Sequence, residues 1–224
     1  MAHITILIQK LLGSKQPVTS DQIQGFRRAL AQTGVASSDF DLNKDTDLPP
    51  GRVLRPAGVL APLIERNGQL ELILTKRSSR LKHHPGQIAF PGGKQDDTDA
   101  DVIAAALREA KEEIGLPPQL VDVLGTLPAH ETVTSFNVTP VIGLVRETFL
   151  VQPEAGEVDE VFMVPLSHVL NAENYLVHSR RWRGQQRYYY VVPYGPYYIW
   201  GATARMLRAW TELMTPGSHP APVG

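Results

Sequence analysis

At 224 residues, with 42% hydrophobic and 20% charged side chains, the chain has the composition of a globular protein able to bury one substantial core. Its 22 basic residues against 23 acidic ones leave a formal charge of -1, which excludes a strongly basic nucleic-acid surface or a polybasic membrane contact, so specificity must reside in a local site. With no cysteine, disulfides, thiolate metal sites and cysteine nucleophiles are excluded.

The apolar stretch near the N-terminus ends at Gln9 and Lys10, and no later segment approaches the roughly 20 apolar residues that span a bilayer. A cytoplasmic protein is expected. Thr19 and Gln22 form a capping-box pattern ahead of Ile23, Phe26, Ala29 and Leu30, which repeat at helical spacing up to Gly34. Residues 35–56, rich in Asp, Ser, Asn, Pro and Gly, read as a linker or wrapping loop, so 1–55 is expected to be a helical extension with its linker.

Strands are predicted at 57–64 and 70–75, flanking an Asn67-Gly68 hairpin turn, and at 87–90 before Pro91-Gly92-Gly93. The most strongly patterned helix covers 100–114. Val102, Ile103, Ala106, Leu107, Ala110 and Ile114 form its apolar stripe, Arg108, Glu109, Glu112 and Glu113 lie off it, and Gly115 with Pro117 and Pro118 ends it. Further strands are predicted at 120–127, 133–145, 158–164, 175–182 and 187–192, then a helix over 199–214 and a flexible tail at 215–224. This order gives an α/β (α+β) class with a mixed sheet between helices.

Glu109, Glu112 and Glu113 stand at i, i+3 and i+4, which gathers three carboxylates on one helical face. Like charges so close repel, and either Arg108 and Lys111 or a divalent cation must offset them. Oxygen-only ligands favour Mg2+ or Mn2+. A solvated glutamate face is the ordinary alternative, but the glycines upstream let backbone approach a ligand closely. Asp96, Asp97 and Asp99 are expected to serve the helix start, by capping or by ligation.

The run from Gly92 to Leu116 resembles the Nudix box, generically G, five residues, E, seven residues, REUXEEXGU with U apolar. Arg108, Glu109, Glu112, Glu113, Gly115 and Leu116 match; Ala110 is a small occupant of the first apolar place. Fourteen residues separate Gly93 from Arg108 where the generic box has 13, and Ala100 stands where its first glutamate belongs. The lead-in, Ile73-Leu74-Thr75-Lys76-Arg77-Ser78, Lys82, Gly86 and Phe90-Pro91-Gly92-Gly93, resembles the coenzyme A pyrophosphatase branch, with Lys82 in place of that branch's usual arginine. Segments as far as Trp210 extend the likeness, so 56–214 is expected to be the Nudix domain, an α/β/α sandwich.

The resemblance implies Mg2+ or Mn2+ held by Glu109, Glu112 and Glu113 with the Gly93 region, Arg108 positioning a glutamate, and Glu112 or Glu113 as base. Glu157 is the preferred later acid, ahead of Glu131 and Glu160. It implies cleavage of coenzyme A to 3',5'-ADP and 4'-phosphopantetheine, with Lys76, Arg77, Arg80 and Lys82 as phosphate partners. The tyrosines at 188–190, 194, 197 and 198 suit a stacking surface or, more simply, alternating burial on a strand. His83 and His84 suit loop packing or solvent contact. A small-molecule substrate is expected, with neither nucleic acid nor membrane as partner; a homodimer is compatible with the sequence. A Nudix hydrolase of ADP-ribose or another nucleoside diphosphate derivative, and a catalytically silent nucleotide-binding module, remain the alternatives.

Overall fold

The computed structural model describes residues 18–32, 34–46, 51–182 and 184–215. The expectations for the first 17 residues and for the tail from 216 fall outside the described residues. Helix α1 (Ser20–Leu30) begins as its sequence dictates: Thr19 Oγ1 accepts the Gln22 N–H at 3.3 Å and Gln22 Oε1 accepts the Thr19 N–H at 2.7 Å. The exchange satisfies two of the amides that a helix start leaves without partners. Its Phe26, Ala29 and Leu30 are buried, and Phe26 packs edge-on against Trp210 with ring centroids 6.0 Å apart.

A nine-stranded mixed sheet forms the centre. In chain order its strands are β1 (Ser37–Ser38), β2 (Arg55–Arg66), β3 (Gln69–Arg77), β4 (Ile88–Ala89), β5 (Gly92–Lys94), β6 (Val121–Thr126), β7 (His130–Glu131), β8 (Phe136–Val145) and β9 (Val158–Pro165). β2 runs parallel to β8 and antiparallel to β3, which it reaches through Asn67 and Gly68, both at positive φ (52° and 73°) as a tight hairpin of the primed type requires. Alternate side chains leave opposite faces. Leu60, Ile64, Ile73, Val141 and Val145 pack beneath helix α2 (Val102–Ile114), where Ala106, Ala110 and Ile114 meet them. Ala61, Leu63, Leu72, Leu74 and Ile142 face the other way, toward α1 and the last helix. The result is a three-layer α/β/α arrangement.

After β9 come the short α3 (Leu166–Val169), then β10 (Leu176–Trp182), β11 (Gln185–Tyr194) and β12 (Tyr197–Trp200), and finally α4 (Ala202–Met214). β10, β11 and β12 form a separate antiparallel sheet. Two expectations need correction here. Ile199 and Trp200 belong to a strand, so the last helix starts at Ala202 rather than 199. Of the two readings of 35–56, the bare linker fails and the wrapping segment fits, because Ser37 and Ser38 pair with His130 and Glu131, and β2 already begins at Arg55.

The β1 contact is anchored by a chain of side chains: Ser37 Oγ lies 2.9 Å from His130 Nδ1, and His130 Nε2 lies 3.2 Å from Asp39 Oδ1. The order Ser-His-Asp is that of a nucleophile relay, but Ser37 is 4% and His130 0% exposed, so no substrate reaches them. The trio ties the segment around Ser37 to the sheet.

Gly58 and Gly93 are partners across β2 and β5. A Cβ on Gly58 would sit 1.9 Å from the Val102 carbonyl oxygen, and one on Gly93 would sit 2.4 Å from Glu109 Oε1. Two missing side chains therefore let α2 press its backbone and the Glu109 carboxylate directly onto the strands.

Candidate active site

Helix α2 is capped by Asp101, whose Oδ1 accepts the Ala104 N–H at 2.8 Å, and Gly115 closes it in the left-handed conformation. Asp96, Asp97 and Asp99 do not cap it. Asp99 takes another role: its Oδ1 and Oδ2 accept from Arg108 Nε and Nη2, each at 3.0 Å, while Oδ2 also accepts the Asp96 N–H at 2.9 Å. Such a two-point pair fixes the plane of the guanidinium as well as its position. The Asp99 side chain is only 5% exposed, and the Arg108 hydrogen bonds hold its carboxyl below the usual range. Asp99 also raises the Arg108 guanidinium above its ordinary value, keeping it charged.

Held in this way, Arg108 presents Nη1 to Glu109 Oε1 at 3.0 Å and to Glu112 Oε2 at 2.9 Å, and Nη2 to the Lys94 carbonyl at 3.3 Å. Asp99 was visible in the sequence only as one of three loop aspartates. The guanidinium now gives a reason for the extra residue in this loop: it places a carboxylate beside position 100, where the resembling box carries glutamate and this chain has alanine.

The three glutamates differ in environment. Glu112 is 57% exposed in its side chain and Glu109 partly buried. Glu113, expected to lie off the buried stripe, is 4% exposed. Its Oε2 accepts the Gly92 N–H at 3.3 Å. Burial pushes its carboxyl up to about 8, against the counteracting charge of Arg77 and the Gly92 amide; the neighbouring Glu109 charge adds to the rise. Burial likewise raises Glu109, with Arg108 opposing. Among the described residues no three carboxylates or imidazoles already converge as a metal cluster. The donors nevertheless suit a hard divalent ion: all are oxygens, the buried Glu113 carboxylate has no counter-cation in direct contact among the described residues, and the Gly93 backbone meets Glu109 at a spacing a side chain would block.

The loop after β8 is stitched to the end of α2, since Gln152 N–H donates to the Ile114 carbonyl (3.0 Å) and Glu154 N–H to the Glu113 carbonyl (2.9 Å). Farther along it, the Glu157 carbonyl accepts the Ser78 N–H at 2.7 Å. Glu157 itself is exposed, and its charge acts on both Glu109 and Glu113. The other two acids are engaged elsewhere: Glu131 pairs with Arg52 at 2.6 Å, and Glu160 accepts the Tyr197 hydroxyl at 2.5 Å.

The four predicted phosphate partners are dispersed. The register between β3 and β9 shifts between Lys76 and Arg77, and such a bulge re-aims the residue beside it. Arg77 lines a pocket of about 330 Å3, whereas Lys76 does not. Arg80 Nη2 contacts the Ala155 carbonyl, and Lys82 is exposed. The same pocket takes in His84, Arg180, Arg187 and Trp200, none of them among those four. Tyr188 and Tyr189 also line it, whereas Tyr190 is buried and Tyr197 stacks on Phe162 at 3.6 Å, so the tyrosines divide between pocket wall and core. Among the described residues no helix is long and apolar enough to cross a membrane.

A three-layer fold with a glycine turn leading into an arginine-braced glutamate helix defines a hydrolase of pyrophosphate bonds. The NUDIX domain matches residues 54–183, and the chain belongs to that family, whose hydrolases act on nucleoside diphosphate derivatives and generally use divalent metal ions. It is 42% identical over 179 residues to the "Uncharacterized Nudix hydrolase NudL" of Enterobacter sp. (strain 638), an alignment that covers 75% of this chain and 93% of that protein. To the protein of the same description from Shigella boydii serotype 4 it is 45% identical over 154 residues, covering 69% and 80% respectively. A C. elegans Ap4A hydrolase binary complex aligns over 50% of this chain and 81% of its own, at 21% identity and a TM-score of 0.43.

Proposed function

We propose that this hydrolase cleaves the diphosphate of coenzyme A or acyl-coenzyme A, releasing 3',5'-ADP and 4'-phosphopantetheine or its acyl derivative. The observation that carries the reading is Arg77, which belongs to the coenzyme-A-type lead-in, lines the pocket and acts electrostatically on Glu113. A diphosphate running from the glutamates into the pocket would pass this cation.

Glu109, Glu112 and Glu113 would hold Mg2+ or Mn2+ beside the Gly93 backbone. When bound, the metal supplies positive charge that offsets the diphosphate and favours attack by water. Arg108, fixed by Asp99, orients the carboxylates of Glu109 and Glu112. Glu112, the most exposed of the three, accepts the proton of the attacking water, and Glu157 on the facing loop adds negative charge that favours proton acceptance nearby. Arg77 binds the diphosphate directly; Lys76, Arg80 and Lys82 contribute positive charge around the approach.

Purified protein incubated with Mg2+ or Mn2+ and, separately, coenzyme A, ADP-ribose, NADH and dinucleoside polyphosphates tests the reading by product identification. The expected products from coenzyme A are 3',5'-ADP and 4'-phosphopantetheine. Turnover of ADP-ribose without 3',5'-ADP from coenzyme A would transfer the assignment to the other substrate class.

A further inference from the structure

The pocket beside Arg77 lies outside the box helix, and the second sheet joins Arg77, His84, Gln87 and Ala89 of the lead-in in lining it. β10 gives it Arg180, β11 gives Arg187 and Tyr189, and β12 gives Trp200; the loop after β3 adds His84. The Arg180 guanidinium lies over the Trp200 ring, 4.9 Å from its centroid, and Tyr189 meets that ring at 61° with centroids 5.2 Å apart. Aromatic faces beside several cationic side chains match a flat base carrying a nearby phosphate. Asp39 is the carboxylate in the lining, and it is already engaged by His130 Nε2 and by the Val133 N–H at 2.9 Å.

Size narrows the occupant. At about 330 Å3 the pocket is at the lower end of the roughly 300–1,000 Å3 typical of small-molecule sites, a size that suits one nucleotide. Position gives the orientation. Arg77 lines the pocket, and its charge reaches both Glu113 on the catalytic helix and His84 in the pocket wall. A nucleotide seated here would direct its 5'-phosphate toward Arg77 and the glutamates, leaving the pantetheine half outside.

We infer that this pocket holds the 3'-phosphoadenosine half of the substrate, with Trp200 and Tyr189 against the base and Arg180, supported by Arg187 and His84, on the 3'-phosphate. The inference rests on the coenzyme A reading above and assigns specificity to residues far in sequence from the box. It makes Arg180 the residue that distinguishes a substrate bearing a 3'-phosphate from one without it.

Titration calorimetry in EDTA with 3',5'-ADP and with 5'-AMP reads the pocket without turnover. The wild-type protein should bind 3',5'-ADP at least about ten-fold more tightly, the effect expected of one charge-assisted phosphate contact. Arg180→Gln, at an exposed position, should abolish that difference. Arg181→Gln, an exposed neighbour outside the pocket lining, should retain it. The kcat/KM preference for coenzyme A over 3'-dephospho-coenzyme A should fall by a similar factor in Arg180→Gln alone. Equal affinities for the two nucleotides in wild type, or an undiminished difference in Arg180→Gln, would overturn the pocket assignment even if coenzyme A is hydrolysed. Arg180-dependent binding of 3',5'-ADP without coenzyme A hydrolysis would retain the pocket and reject the substrate proposed above.

Discussion

Replacing Glu113 with glutamine keeps shape and removes charge, and its effects on stability and activity should have opposite signs. Burial raises this carboxyl from 4.5 to about 8, so the folded protein binds the proton more tightly than the unfolded chain does. Stability from this group is fully present below pH 4.5, declines as pH rises and is lost above about 8. At about 1.36 kcal/mol per pH unit, the full difference is about 5 kcal/mol, an upper bound for one buried carboxyl. Glutamine is neutral throughout. Without metal, Glu113→Gln should therefore be about 2–4 kcal/mol more stable than wild type near pH 8.5 and within about 1 kcal/mol of it near pH 5. For a chain of this size that is a rise in Tm of roughly 5–10 °C at the higher pH. Circular-dichroism melts in EDTA at both pH values read it directly. Added Mn2+ should raise the wild-type Tm and leave the variant nearly unchanged, while turnover falls at least about 100-fold. Equal pH dependence of the two Tm values, or normal hydrolysis by the variant, would refute the buried-ligand reasoning.

Gly93→Ala puts a methyl group 2.4 Å from Glu109 Oε1 and should lower kcat/KM by about ten-fold or more, at a stability cost of about 1–3 kcal/mol, measured by steady-state kinetics and thermal melts. Asp99→Asn leaves the Arg108 guanidinium without its two-point anionic partner; kcat should fall about ten-fold or more with the fold retained, as circular dichroism would report. Trp210→Ala removes a fully buried ring that Phe26 packs against, and denaturant melts should show a loss of about 3–5 kcal/mol.

The central helix was legible because its apolar residues repeat at one spacing and its ends carry their own signals. The hairpin at Asn67-Gly68 was legible for the same local reason. Strand β12 was hidden because Ile199 and Trp200 fall in phase with the helical pattern that begins just after them, and pairing with Val191 and Val192 decides otherwise. β1 is two serines with no period of their own, held by a histidine 93 residues away. Glu113 could be placed off the apolar stripe and among the metal-holding carboxylates, but its burial was not legible because charge normally implies exposure; only its packing behind Gly92 shows it. The glutamate cluster and Arg108 could be named from a motif, whereas Asp99's hold on Arg108 depends on the path of a lengthened loop. Arg180 and Arg187 look like surface cations until β10 and β11 bring them beside Arg77 at the pocket.

Hydrolysis of coenzyme A in 18O-labelled water with Mg2+ or Mn2+, followed by mass spectrometry of both products, tests the proposed chemistry most directly. The expected result is 3',5'-ADP and 4'-phosphopantetheine, one 18O atom entering the phosphate of one product per turnover, with no reaction in EDTA. Labelled inorganic phosphate in place of these products, or their undiminished formation in EDTA, would contradict metal-assisted attack on the diphosphate.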